Sequence, residues 1–284
     1  MVALNAMLSS LIPKYDAAVF SGLHEMSTYL PQEENYDSLK CILYVVVIIT
    51  IIHIILLQAV KVLRGKSASS LDISKSAYQV TNLLVNLTLG CLGIYYQIKL
   101  YPYDAPTTER IAGYQHVKIF SVIQIGYQLW ALPVGIIFVG ETTPMIIHHV
   151  SVCIVASTTA FVKCGFRYYS PYFYGLIEIS SVPLSIMNSF KNNKQWIKDY
   201  PEVYSTVRLV FAVTFLLTRV IIWTPWYSSF FAHACLLWYS GEVFSTKVLL
   251  GLFIIASLVL TFLQYFWASK IVSAMVKKPK KKDQ

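Results

Sequence analysis

Two adjacent histidines, His148-His149, stand near the start of an apolar run that follows Glu141-Thr142-Thr143-Pro144. A neutral imidazole suits general base catalysis near pH 7, and it can itself be acylated as a nucleophile. Neighbouring residues on a helix point about 100° apart, so the two rings cannot share one face. One ring reaches a substrate while the other holds a partner or a second helix; the bland alternative is a pair that only joins helices. Ser151 follows His148 at +3, and Cys153 follows His149 at +4. Further on, Glu178 is trailed by Ser181, Ser185 and Ser189 at +3, +7 and +11, one polar stripe on an apolar helix. A carboxylate at membrane depth must be paired, hydrogen-bonded or protonated. Glu178 therefore orients a histidine, binds a cation, or donates a protonated interhelical hydrogen bond. In the next run Arg219 follows Phe211 and Phe215 at helical spacing, with Arg208 nearly on the same face and Pro225 beyond. Arginine stays charged, so each needs a carboxylate, a lipid phosphate or a snorkelling route to water. Glu178 is a candidate partner for Arg219; snorkelling at the outer end is the alternative. Trp267 and Lys270 end the last apolar run, where an interfacial belt competes with a site.

The elements that carry these groups are membrane helices. The chain has 284 residues, 56% of them hydrophobic and only 13% charged, with a mean hydropathy of +0.57. Soluble domains carry about 25% charged residues. The shortfall excludes an ordinary cytosolic enzyme, a disordered chain and a nucleic-acid binder. A span needs about 20 mostly apolar residues, and seven segments qualify: 41–61, 79–99, 117–139, 144–163, 171–190, 203–224 and 245–270. Segment 226–240 is apolar but short, and suits a re-entrant or interfacial piece. The fold class is therefore an all-α polytopic bundle of about seven spans. It divides into an amphipathic and acidic lead over 1–40, a bundle over 41–275 and a basic tail over 276–284. Residues 1–40 lack the basic start and continuous apolar core of a cleavable signal peptide. The five cysteines are scattered singly and form no disulfide or metal framework.

The net charge of +9 reads as topology. Lys and Arg favour the loops after the first and fifth spans and the tail, which places the N-terminus outside, in the lumen, and the C-terminus in the cytosol. The chain ends Lys281-Lys282-Asp283-Gln284. Lysines at the third and fourth positions from a cytosolic C-terminus match the dilysine retrieval signal of the endoplasmic reticulum, read by coat proteins. A generic basic tail on anionic lipid is the alternative.

Taken in order, these features resemble the TLC domain, the homology shared by TRAM, Lag and CLN proteins, over about residues 70–275. The resemblance rests on Gly126-Tyr127, His148-His149, Glu178-Ile179-Ser180-Ser181 with Pro183 and Asn188, Phe211/Phe215/Arg219/Pro225, and Trp267/Lys270/Ile271. Ceramide synthases belong to this superfamily and need their histidine pair to move an acyl group from acyl-CoA to a sphingoid base. The resemblance thus implies sphingolipid-type lipid metabolism, with His148, His149 and Glu178 as catalytic groups. Ser181, Ser185, Arg219 and Trp267 would contact lipid or substrate. It implies no metal and no cofactor beyond acyl-CoA as co-substrate, with membrane lipids as partners. Ceramide synthases follow their histidines with an Asp-rich segment, whereas residues 150–177 here contain no Asp. The chain is thus nearer the small TLC-domain proteins, and a non-catalytic sensor, carrier or regulator of membrane lipid stands beside the enzyme.

Three rivals fit less well. A fatty acid elongase needs HxxHH, and Met145 occupies the first position. Receptor-type DRY and NPxxY motifs are missing, and a retinal protein needs a mid-helix lysine where the last span has Lys247 and Lys270 only at its ends. A channel needs polar stripes on several helices, and only the fifth shows one clearly. One prediction follows from the tail: Lys281→Ser/Lys282→Ser should move the protein from the reticulum to later compartments in fluorescence co-localisation. An unchanged distribution would reduce the tail to its charge.

Overall fold

The computed structural model describes residues 32–64, 69–240 and 244–276. The lead before residue 32 and the Lys281-Lys282 signal lie outside the described residues. All elements are helical: α1 (Gln32–Arg64), α2 (Ser70–Lys99), α3 (Thr107–Ala112), α4 (Lys118–Val134), α5 (Thr143–Phe161), α6 (Ser181–Asn192), α7 (Lys194–Asp199), α8 (Pro201–Leu216), α9 (Trp223–Ser240) and α10 (Phe244–Val276). Six helical stretches among the described residues are long and apolar enough to cross a membrane. The protein is a multi-pass integral membrane protein.

α2 packs on α6, α6 on α8, α4 on α5 and α5 on α10, so these helices surround a common interior. α1 packs mainly on α2 and α4 and stays at the periphery, with 11% of its most apolar window buried. Its exposed Leu43, Ile48, Ile51 and Ile55 suit a lipid-facing surface. Helices alone satisfy their own backbone hydrogen bonds in hydrocarbon, which is why so apolar a chain folds this way.

Two expected segments differ in detail. The segment expected as a span at 171–190 is not among those six and is not one regular helix. It winds as a wide π turn at Pro171–Gly175, tightens to a 3-10 turn at Leu176–Ser180, and becomes α-helical only in α6. Pro183 is a physical cause: it offers no N–H to the Ile179 carbonyl, and its ring crowds that carbonyl. The segment expected as a separate piece at 226–240 belongs to α9, which continues from α8 through a π turn at Leu217–Ile221. The whole stretch Pro201–Tyr239 has 39 residues. At about 1.5 Å per residue a straight helix that long is nearly twice the ~30 Å hydrocarbon thickness. The irregular turn divides it, and Pro225 beyond the turn plays the part that Pro183 plays in the other segment.

The irregular segment is seated by glycines. A Cβ added at Gly93 of α2 would meet the Leu176 nitrogen at 2.1 Å and the Gly175 carbonyl carbon at 2.5 Å. A Cβ at Gly175 would meet the Gly93 Cα at 2.9 Å. Backbone touches backbone here, immediately before Glu178. Gly93→Ala should lower stability by about 1–3 kcal/mol, the ordinary range for overpacking, read as a lower thermal midpoint in detergent; an unchanged midpoint contradicts this packing.

Candidate functional site

Glu178 lies on the 3-10 turn and Arg219 on the π turn, each in a stretch of helix that leaves α geometry just before a proline. Such turns re-aim side chains that a regular helix would send elsewhere. Here they face each other. Arg219 Nη2 donates to Glu178 Oε2 at 3.0 Å, and the two side chains are only 6% and 8% exposed. Arg219 Nε donates to Ser180 Oγ at 2.8 Å, and Nη2 also donates to Ser181 Oγ at 2.9 Å. Ser181 Oγ in turn donates to Glu178 Oε2 at 2.7 Å. The other carboxylate oxygen, Oε1, accepts from Gln124 Nε2 of α4 at 3.1 Å. The snorkelling alternative for Arg219 is thereby excluded: its guanidinium turns inward to an ion pair.

The histidines are handled separately. His149 is buried, and its Nδ1 lies 2.5 Å from Gln128 Oε1 of α4. His148 makes an edge contact with Trp267 of α10 at 5.5 Å between ring centroids, and its ring lies 5.6 Å from that of His149. Glu178 makes no hydrogen bond to either ring, so a glutamine takes the orienting role expected of the carboxylate. Gln124 and Gln128 are one helical turn apart, and each holds one member of the site.

All these groups except Gln124 line one cavity of about 300 Å³. Of the residues expected at a site, His148, His149, Glu178, Ser181, Ser185, Arg219 and Trp267 all reach it. Ser185 spends its hydroxyl on the Ser181 carbonyl at 3.0 Å. Ser151, Cys153 and Arg208 are not among the lining residues; Arg208 instead lies 5.7 Å from the Tyr204 ring. A second, largely apolar chamber of about 40 Å³ lies beside the first. His148 and Glu178 line both, so they stand at the boundary between a cavity rich in polar side chains and a more apolar chamber. The aromatic end of the last span is thus part of the cavity wall: Trp267 lines the larger chamber and the buried Gln264 the smaller.

Sequence reading missed Asn82 and Asn86 on α2, Gln128 on α4 and Glu141 in the loop before α5, all of which line the larger cavity. The signal existed, since Asn82/Asn86 and Gln124/Gln128 are polar pairs at i, i+4 in apolar helices. Polar faces therefore stand on α2 and α4 as well as on the fifth segment, contrary to the expectation of a single stripe. Asn82 accepts from the Tyr127 hydroxyl at 3.1 Å. Glu141 is placed by glycines: Gly140 takes the left-handed conformation, φ +70°, and a Cβ at Gly135 would meet the Glu141 Cγ at 2.7 Å. Burial pushes the Glu141 carboxyl above the ordinary range, and the neighbouring Tyr78 hydroxyl acts the other way. Among the described residues, no group of three His, Cys, Asp or Glu stands close enough to hold a metal ion.

What the arrangement can do follows from its parts. An imidazole that lines a cavity can exchange a proton with a reactant held there. A polar vestibule that borders an apolar chamber accepts a molecule with a polar head and a hydrocarbon portion. A family model, the TLC domain, matches residues 72–273. No curated protein and no solved structure matches the chain.

Arg219→Met leaves the Glu178 carboxylate buried without its cation, and should lower stability by about 3–5 kcal/mol. The double variant Glu178→Gln/Arg219→Met removes both charges and should recover much of that loss. Thermal unfolding of the detergent-solubilised proteins tests the pair. A double variant no more stable than Arg219→Met would mean that the ion pair is not the dominant link.

Proposed function

The chain belongs to the TLC-domain family, and from that premise we propose that it is an enzyme of membrane lipid metabolism that transfers an acyl group to a lipid acceptor through its histidine pair. The observation that carries the reading is the placement of His148, His149 and the Glu178–Arg219 pair around one cavity at a polar–apolar boundary. The acyl donor is acyl-CoA and the acceptor a sphingoid base or another lipid with an N–H or O–H group. One histidine takes the acceptor's proton as the acceptor atom bonds to the acyl carbon. The thioester C–S bond breaks, and the thiol leaves with the proton returned from the imidazole. If a histidine instead carries the acyl group, the same bonds exchange in two steps, with an acyl-imidazole between them. Arg219 holds the Glu178 side chain in place, and both fix the wall against which the acyl carbon lies.

The site of action proposed is the endoplasmic reticulum, with the N-terminus lumenal and the C-terminus cytosolic, the orientation resting on the loop charges. In that orientation the loop that carries Glu141 faces the cytosol, where acyl-CoA arrives. An elongase is disfavoured because Met145 lines the cavity at the position where HxxHH requires its first histidine.

A second reading has one observation in its favour. Residues 150–177 carry no Asp, so a lipid sensor, carrier or regulator would use the same cavity without turnover. Mass spectrometry of lipids co-purified with the wild type, His148→Ala and His149→Ala, combined with acyl-CoA turnover, separates the two. The enzyme predicts turnover that falls about a hundredfold or more in the variant lacking the base, while bound lipid persists. Bound lipid in all three proteins with no turnover in any would sink the enzyme and leave the carrier.

A further inference from the structure

The two histidines differ in which nitrogen is left without a partner. His149 Nδ1 faces Gln128 Oε1 at 2.5 Å, whereas His149 Nε2 is buried without a hydrogen-bond partner. In His148 the relation is reversed: Nδ1 is the buried, unpartnered atom. The ring lines both chambers, so Nε2 is the nitrogen left to the cavity. A neutral imidazole carries one proton, and its position is set by what each nitrogen meets. Gln128 Oε1 is an acceptor, so His149 Nδ1 must donate and Nε2 keeps its lone pair. Turning the Gln128 amide over would put the proton on His149 Nε2 and leave a buried N–H unpaired. Buried N–H groups without partners are rarer than under-used acceptors. The same argument places the His148 proton on Nε2, where the contents of the cavity can accept it.

We infer that His148 and His149 are locked in opposite tautomers, His149 as an Nδ1–H form set by Gln128 and His148 as an Nε2–H donor toward the cavity. In the acyl transfer of the preceding subsection, on which this role rests, His148 Nε2–H donates to the carbonyl oxygen of the thioester as that oxygen gains charge, and keeps its proton throughout. His149, whose Nε2 is enclosed, ties α5 to α4 through Gln128. Gln128 is a positioning residue, acting only through His149. The two adjacent rings differ because one is anchored on α4 and the other leans on Trp267 of α10.

The test reads the proton positions directly. Two-bond ¹H–¹⁵N spectra of the ¹⁵N-histidine-labelled, detergent-solubilised protein distinguish Nδ1–H from Nε2–H. His148→Gln and His149→Gln assign the signals. His149 should be Nδ1–H and His148 Nε2–H in the wild type. Gln128→Met should abolish the Nδ1–H form of His149 and leave the Nε2–H form of His148 unchanged. Gln128→Glu keeps an acceptor at the same place and should retain the Nδ1–H form. Should Gln128→Met fail to fold, the wild type and Gln128→Glu decide. An Nε2–H or doubly protonated His149 in the wild type, an Nδ1–H His148, or a His149 signal indifferent to Gln128→Met would overturn the assignment. The spectra need no turnover, so a protein with the expected tautomers and no acyl transfer refutes the enzyme while the assignment stands.

Discussion

The arrangement of the interior depends on one buried ion pair. Glu178 and Arg219 each stand on a turn that has left α geometry, and a charge on either alone would be untenable in this surrounding. Together, with Ser180, Ser181 and Gln124 hydrogen-bonded to them, they tie α4, the segment 171–192 and the junction of α8 with α9 into one unit. A regular helix at either position would turn one of the two side chains away. The irregular turns are therefore a requirement of the pairing, and the prolines and the Gly93–Gly175 contact are what make those turns affordable in hydrocarbon, where a loose backbone group has no water to meet.

With that clamp in place, the rest of the site is a matter of division. The polar cavity and the apolar chamber share His148 and Glu178 as a wall. Such a boundary suits an amphiphile, whose junction between head and chain is where an acyl carbon sits. The α4 glutamines hold the two sides of that boundary apart: Gln124 binds the carboxylate, and Gln128 binds His149. A single helix face thus holds both Glu178 and His149.

The helical bundle, most of its long apolar helices and the TLC-type order of motifs were legible in the sequence, because hydrophobic length is a local property. So was the meeting of Glu178 and Arg219 as a candidate, since an arginine that cannot discharge has few options at depth. The segment around Glu178 read as a plain span, because apolar length says nothing about helix pitch. Trp267 read more easily as a belt residue than as a wall, because an aromatic near a helix end looks the same in both settings. The glutamine pair of α4 passed unnoticed: amides are common glue between membrane helices, and spacing alone cannot show what they hold.

What the sequence determined by itself is the solvent and the inventory: a chain with too few charges to fold in water, and a short set of ionisable groups that hydrocarbon tolerates only when each has a reason to be there. Tertiary structure decided who partners whom. Glu178 went to Arg219 and His149 to Gln128 because hydrogen bonds and ion pairs depend on distances of about 3 Å, and those distances are set by how separate helices pack, which no spacing along one helix contains.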